Sequence, residues 1–148
     1  MIVTQIDQID NTAFNRMYAS NKTQLISNIG FDDIEIFRNS FNREDNVIKF
    51  KAVNESNEVV AYFVGEESDV NTAYMYNMIT QDEHTLPLTI EGSANILKSL
   101  GYTHVEFCVK VGTGTYDYTK NSMYRPDLYE YESEIDIGNY HKTKLRLV

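Results

Sequence analysis

Three histidines, one cysteine, eleven tyrosines and two rows of charge are the residues of this chain best suited to chemistry, and their spacing sorts them. His84, His104 and His141 are scattered, and none belongs to a His-x-x-x-His or Cys-x-x-Cys pair, so the pattern offers no metal centre. His104 and Cys108 share a strand face. Four residues of strand hold them about 13 Å apart, too far for a Cys–His dyad, and Cys108 reads as a small core residue. Gly112-Thr113-Gly114 follows a strand, as a nucleotide loop would. Asp117 stands where a third glycine is needed and no Lys-Ser/Thr pair follows, so the stretch reads as a turn. Most tyrosines read as rim or core aromatics whose hydroxyls reach water. Glu130, Glu132, Glu134 and Asp136 alternate along one segment, and Lys142, Lys144 and Arg146 along the next, the pattern of cross-strand pairing in a solvated hairpin.

Composition bounds the partners. A chain of 148 residues, 42% hydrophobic, can bury one core, and 1–148 reads as a single domain. A net charge of −9 argues against nucleic-acid binding, which needs clustered Lys and Arg. The acidity also permits mimicry of nucleic acid, although solubility is its simpler use. The lone cysteine excludes an internal disulfide and suits a reducing, cytoplasmic compartment. The start, MIVTQIDQID, has no basic region and no long apolar run, so neither a signal peptide nor a membrane segment is expected. Abundant Tyr and Asn with no Trp fit an AT-rich genome such as a phage's.

The elements that must position these residues follow from periodicity. Ile2–Ile9 reads as a first strand. Asn11 or Thr12 caps a helix over Ala13–Ile29, with Phe14, Met17, Tyr18 and Leu25 on one stripe, and Gly30 stops it. A second helix, Phe31–Phe41, presents Phe31, Ile34, Phe37 and Phe41. Val47–Val53 alternates, with Ile48, Phe50 and Ala52 facing one way and Lys49 and Lys51 the other. It turns at Asn54–Glu58 into Val59–Val64. Glu66–Asn71 reads as an acidic connection to Ala73–Thr80, whose continuous apolar character suits a strand covered on both faces. Leu86–Leu100 is a helix with Pro87 in its first turn, Leu86, Ile90, Ala94 and Leu97 buried, Lys98 near its end and Gly101 as its stop. It crosses over to Thr103–Val109, which must then lie parallel to Ala73–Thr80. Gly112–Asp127 reads as a loop with at most a short helix. Leu128–Ile137 and His141–Val148 form a terminal hairpin. A loop over Gly138–Tyr140 would set Asp136 by Lys142, Glu134 by Lys144 and Glu132 by Arg146.

This order of elements, a strand, two helices, three antiparallel strands, a crossover helix, a parallel strand and a last pair of strands, resembles the GCN5-related N-acetyltransferase (GNAT) family over the whole chain. The resemblance implies an α+β (α/β) domain: a mixed, mostly antiparallel sheet with one parallel pair, flanked by helices. It also implies that this pair, Ala73–Thr80 and Thr103–Val109, splays apart at its C-terminal ends to hold acyl-CoA. The family's pyrophosphate loop, Gln/Arg-x-x-Gly-x-Gly/Ala, falls on Gln81-Asp82-Glu83-His84-Thr85-Leu86. Gln81 matches, while His84 and Leu86 replace the small residues. Asp82 and Glu83 oppose phosphates, and Pro87 removes a donor. By resemblance the acetyl-CoA contacts are Met78, Ile79, Thr80, Gln81, His84, Thr85 and Leu86. Glu66, Glu67 and Glu83 stand as bases and Tyr116, Tyr118 and Tyr124 as acids, with Glu67 and Tyr124 the pair assigned. The implied activity is acyl transfer to a small-molecule or peptide amine. The alternative is a GNAT-shaped protein that binds a protein partner without catalysis.

Overall fold

In the computed structural model the described residues are 1–21, 26–27, 34–43, 48–81, 85–112 and 127–148, excepting the side chains at 20, 21, 26, 27, 34, 77, 86, 87 and 90. Alternating apolar residues build the centre of a sheet whose described strands are β1 (Ile2–Gln5), β2 (Ile26–Ser27), β3 (Ile48–Val53), β4 (Val59–Asp69), β5 (Thr72–Thr80), β6 (His104–Lys110), β7 (Tyr129–Ile137) and β8 (Tyr140–Leu147). The helices are α1 (Asn11–Asn21), α2 (Ile34–Arg43) and α3 (Thr85–Ser99). The strand order is β1-β3-β4-β5-β6-β8-β7, with β2 paired to β5 off that path. Only β5 and β6 run parallel, as the crossover through α3 requires.

Both faces of the sheet are covered. On one, Ala94 and Leu97 of α3 pack on Ile48, Phe50, Phe63, Met75, Val105 and Phe107. On the other, Phe14 and Met17 of α1 and Phe37 and Phe41 of α2 pack on Tyr62, Val64 and Ile79. Each fully buried Phe contributes about 2–3 kcal/mol of transfer free energy. This second layer covers Lys49, which faces opposite to Ile48, Phe50 and Ala52 as its alternation requires: it is buried beneath the helices, where its Nζ donates to the Asp7 carbonyl at 2.8 Å and lies 5.4 Å from the Phe41 ring centre.

Local chemistry accounts for the helix ends. Asp10, rather than Asn11 or Thr12, caps α1, its carboxylate accepting the Ala13 N–H at 2.8 Å. At the end of α3 the Tyr102 N–H bonds the Leu97 carbonyl and the Gly101 N–H that of Lys98, with Gly101 at φ +95°, the Schellman arrangement. α3 lies close on β1, since a Cβ on Gly92 would meet the Val3 side chain. Its buried Thr89 and Ser93 hydroxyls are satisfied by carbonyls one turn back, at 2.7 and 2.8 Å.

Several boundaries differ from the sequence reading. β1 ends at Gln5, not Ile9. The helix expected to run to Ile29 is described as far as Asn21. Ile26–Ser27 is strand instead, because the edge of β5 satisfies its backbone in place of another helical turn. Glu66–Asp69 is not a connection but the exposed end of β4, which turns at Val70-Asn71, with Asn71 at φ +60°. Leu25, Gly30, Phe31 and most of Gly112–Asp127 lie outside the described residues. The hairpin takes a two-residue turn, Gly138-Asn139, with Gly138 at φ +59°. The pairs are therefore Ile135↔Lys142 and Glu134↔Thr143, not the expected charge ladder. A bulge at Glu132 then shifts the register, so that Glu130 meets Arg146 at 2.6 Å.

The β4–β5 ladder also breaks once in the core, where consecutive Val64 and Gly65 pair with Asn77 and Met75 and leave Tyr76 as a bulge. A Cβ on Gly65 would collide with the Tyr74 carbonyl and lie 2.5 Å from the Met75 sulfur. Gly65→Ala is expected to cost about 1–3 kcal/mol in urea denaturation. Beside it, the Tyr62 hydroxyl is buried without a partner among the described residues. Burial, then Asp10, pushes its pKa up to about 12. A raised phenol keeps its proton in the fold after the unfolded chain has lost it. Its contribution is therefore complete below pH 10 and is lost as pH rises through about 12. Tyr62→Phe is expected to be neutral or stabilising by about 1 kcal/mol at pH 7, and to flatten the fall in stability above pH 10, both read by chemical denaturation.

Candidate active site at the fork of the parallel pair

β5 and β6 pair from Thr72↔His104 only as far as Met75↔Phe107, although β5 runs on to Thr80 and β6 to Lys110. The bulged residue Tyr76 follows the last pair directly. A bulge bends its strand and increases its twist, so β5 turns away from β6 at that point. The result is a fork at the carboxyl ends of two parallel strands, with α3 beginning just beyond β5. Crevices of this kind bind ligands in open α/β sheets.

Side chains of one sheet face converge beside the fork. Tyr74 and Tyr76 stand with ring centres 5.9 Å apart. Glu106, opposite Tyr74, has a side chain only 12% exposed and holds the Lys142 ammonium at 2.7 Å. That ammonium also lies 5.0 Å from the Tyr74 ring centre, a cation–π distance. The Tyr74 hydroxyl hydrogen-bonds Cys108. Burial first, then Cys108 and the carboxylates of Glu106 and Glu66, holds the phenol well above its usual pKa, so it remains a proton donor. Cys108 is accordingly not a core residue: it is partly exposed on the polar face, while Val105, Phe107 and Val109 point into the core.

The expected site residues divide. Met78, Ile79 and Thr80 line the β5 arm of the fork, and Gln81 follows them, its N–H donating to the Val60 carbonyl at 2.8 Å. The Gln81 side-chain oxygen is buried with no hydrogen-bond partner among the described residues. Thr85 and Leu86 open α3, with Thr85 buried. His84, Asp82, Glu83, Tyr116, Tyr118 and Tyr124 lie outside the described residues. Glu67 is not brought to the fork. It pairs with Ala73 at the opposite end of β5, roughly 20 Å from Thr80, and bears instead on Tyr102, whose phenol is raised by burial and then by Glu67. His104 engages Glu132 at 2.9 Å rather than Cys108. Glu106 was missed, although a carboxylate between Val105 and Phe107 on a central strand was the available signal.

Among the described residues, no group of three His, Cys, Asp or Glu side chains could hold a metal, and no helix is long and apolar enough to cross a membrane. A double-mutant cycle on Glu106 and Lys142, read by urea denaturation, is expected to give a coupling of about 1 kcal/mol. It should exceed that of Glu130 and Arg146, which face solvent.

No protein-family profile matches the chain, and no curated protein sequence does. Solved structures do. A Desulfovibrio desulfuricans protein assigned to the GNAT family of acetyltransferases aligns over 98% of this chain and 96% of its own, at 10% identity and a TM-score of 0.62. A variant of the Vibrio cholerae spermidine N-acetyltransferase aligns over 100% and 95%, at 10% identity and 0.58. A Bacillus subtilis acetyltransferase in complex with CoA aligns over 99% of both chains, at 9% identity and 0.58. With the strand order and the forked parallel pair, these likenesses show that the chain has the GNAT fold.

Proposed function

We infer that the protein is an N-acyltransferase that takes an acyl group from acyl-CoA, such as acetyl-CoA, and passes it to an amine. The observation that carries this is the fork: the β5–β6 ladder ends at Met75↔Phe107 while both strands continue. An extended donor fits there in three respects. The β5 edge presents backbone N–H and C=O groups to a donor's amide arm, as a neighbouring strand would. The buried Gln81 oxygen, without a partner among the described residues, asks for a donor group. The α3 N-terminus favours an anion, although Pro87 supplies no N–H there. The likeness to a CoA-bound acetyltransferase supports the same placement.

When bound, acyl-CoA supplies an activated thioester carbonyl. The chain's own groups then handle the amine. Glu106, largely shielded and beside the fork, is the carboxylate placed to hold an ammonium and accept its proton. It takes the role assigned by resemblance to Glu67. The paired Tyr74 and Tyr76 rings add a cation-binding surface. Tyr74, kept protonated, is the described phenol that can donate a proton; the resemblance implies Tyr124 as the alternative acid. An amine-bearing acceptor accords with the spermidine N-acetyltransferase likeness.

Calorimetry with acetyl-CoA and CoA tests the donor, with saturable one-to-one binding expected. Glu106→Gln is expected to lower kcat/KM at least about 100-fold without abolishing CoA binding. A second reading, a GNAT-shaped binding protein without catalysis, is favoured by Pro87 and by the absence of glycine from Gln81 to Leu86. A lack of any CoA heat would select it.

A further inference from the structure

The fork is not left open by the chain itself. β5 has two edges. β4 covers one along its length, while β6 covers the other only from Thr72 to Met75. Successive residues of a strand turn their N–H and C=O groups to opposite edges. The Gln81 N–H points to Val60 on β4, so Thr80 turns its N–H and C=O into the fork. There it meets β2, since Ile26 stands opposite Thr80 and Ser27 opposite Ile79, antiparallel. β2 lies off the main strand path, and its described part is two residues long. It fills the part of the β5 edge that an extended donor would use.

We propose that β2 is a strap that competes with the acyl donor for the Thr80 backbone, so that donor binding requires the strap to peel away. This rests on the acyl-CoA reading above. Both occupants are extended chains that need the same N–H and C=O, and one edge position pairs with one neighbour. The pairing among the described residues spans two positions, which is weak, as a gate must be. Two net hydrogen bonds of ordinary strength hold it closed by a factor of roughly 5 to 30. A donor that binds only the open form is weakened by that same factor.

Ile26→Pro tests the strap, because it removes the N–H facing Thr80. Ser27→Pro is the control, because its N–H points away from β5. Two measurements are needed: calorimetry with CoA, and amide hydrogen exchange at Thr80 and Ile79 without ligand. Ile26→Pro is expected to speed exchange at Thr80 but not at Ile79, and to tighten CoA binding roughly 5- to 30-fold. Ser27→Pro is expected to do neither. If Ile26→Pro does not fold, Ile26→Gly with Ser27→Gly weakens the same pairing without a ring, and the same outcomes apply. Unchanged exchange at Thr80 overturns the strap. Faster exchange with unchanged CoA affinity overturns the competition. If neither wild type nor variant binds CoA, the acyl-donor reading itself falls and takes the gate with it, whatever the exchange rates.

Discussion

One extra residue on one strand shapes the forked end of this sheet. Tyr76 is bulged out of the β4–β5 ladder, and only Gly65, with no Cβ to strike the Tyr74 carbonyl, lets the strands close around it. The bulge follows the last β5–β6 pair directly and turns β5 away, so the fork exists because the ladder breaks there. The same break re-phases β5. Met75 and Met78 both reach the α3 layer and Ile79 the opposite one, an arrangement that strict alternation could not produce.

The two buried layers differ in how they treat polar groups, and that difference explains where reactive side chains end up. Under α3, hydroxyls of the helix are absorbed by its own carbonyls. Under α1 and α2, polar groups are carried at a cost. Lys49 is satisfied by a backbone carbonyl and a ring face, while the Tyr62 hydroxyl has no partner among the described residues. Further along that face lie Tyr74, Tyr76, Glu106, Cys108 and Lys142, and there exposure rises and the groups satisfy one another. A carboxylate, an ammonium and a protonated phenol thus sit together at the edge of the core, where water is scarce enough to strengthen their interactions yet a ligand can still reach them.

The terminal hairpin makes a related point about charge. Among the described residues its acidic row pairs with the basic row at one place, Glu130 with Arg146. Near the turn Asp136 and Glu134 instead flank the buried His141, at 2.6 and 3.2 Å, and Lys142 reaches Glu106 on the neighbouring β6. The turn and the bulge at Glu132, not the alternation of charge, set the register. Exposed ion pairs are individually too weak to overrule backbone geometry.

Sequence alone determined the order of elements apart from β2, the parallel pairing of β5 and β6, the stop at Gly101 and the core stripes of Phe14, Met17, Phe37 and Phe41. Each depends on residues close together in the chain: helical spacing, a cap, or a crossover whose handedness and direction are constrained. It also read Met78 to Thr80 as strand, the stretch by which β5 continues past its last pair with β6. Tertiary structure alone decided the rest. Which residue is bulged depends on the neighbouring strand, as Gly65 shows for Tyr76. Whether Ile26–Ser27 is helix or strand depends on a free edge that β5 provides from more than fifty positions away. Glu106 looked ordinary because its significance comes from Tyr74 on one neighbouring strand and Lys142 on the other. Glu67 looked suitable because nothing local reveals that β4 continues past it, to the far end of the sheet. Local patterns reach as far as a turn or a cap. The fork and its carboxylate are made by strands that meet only when the sheet closes.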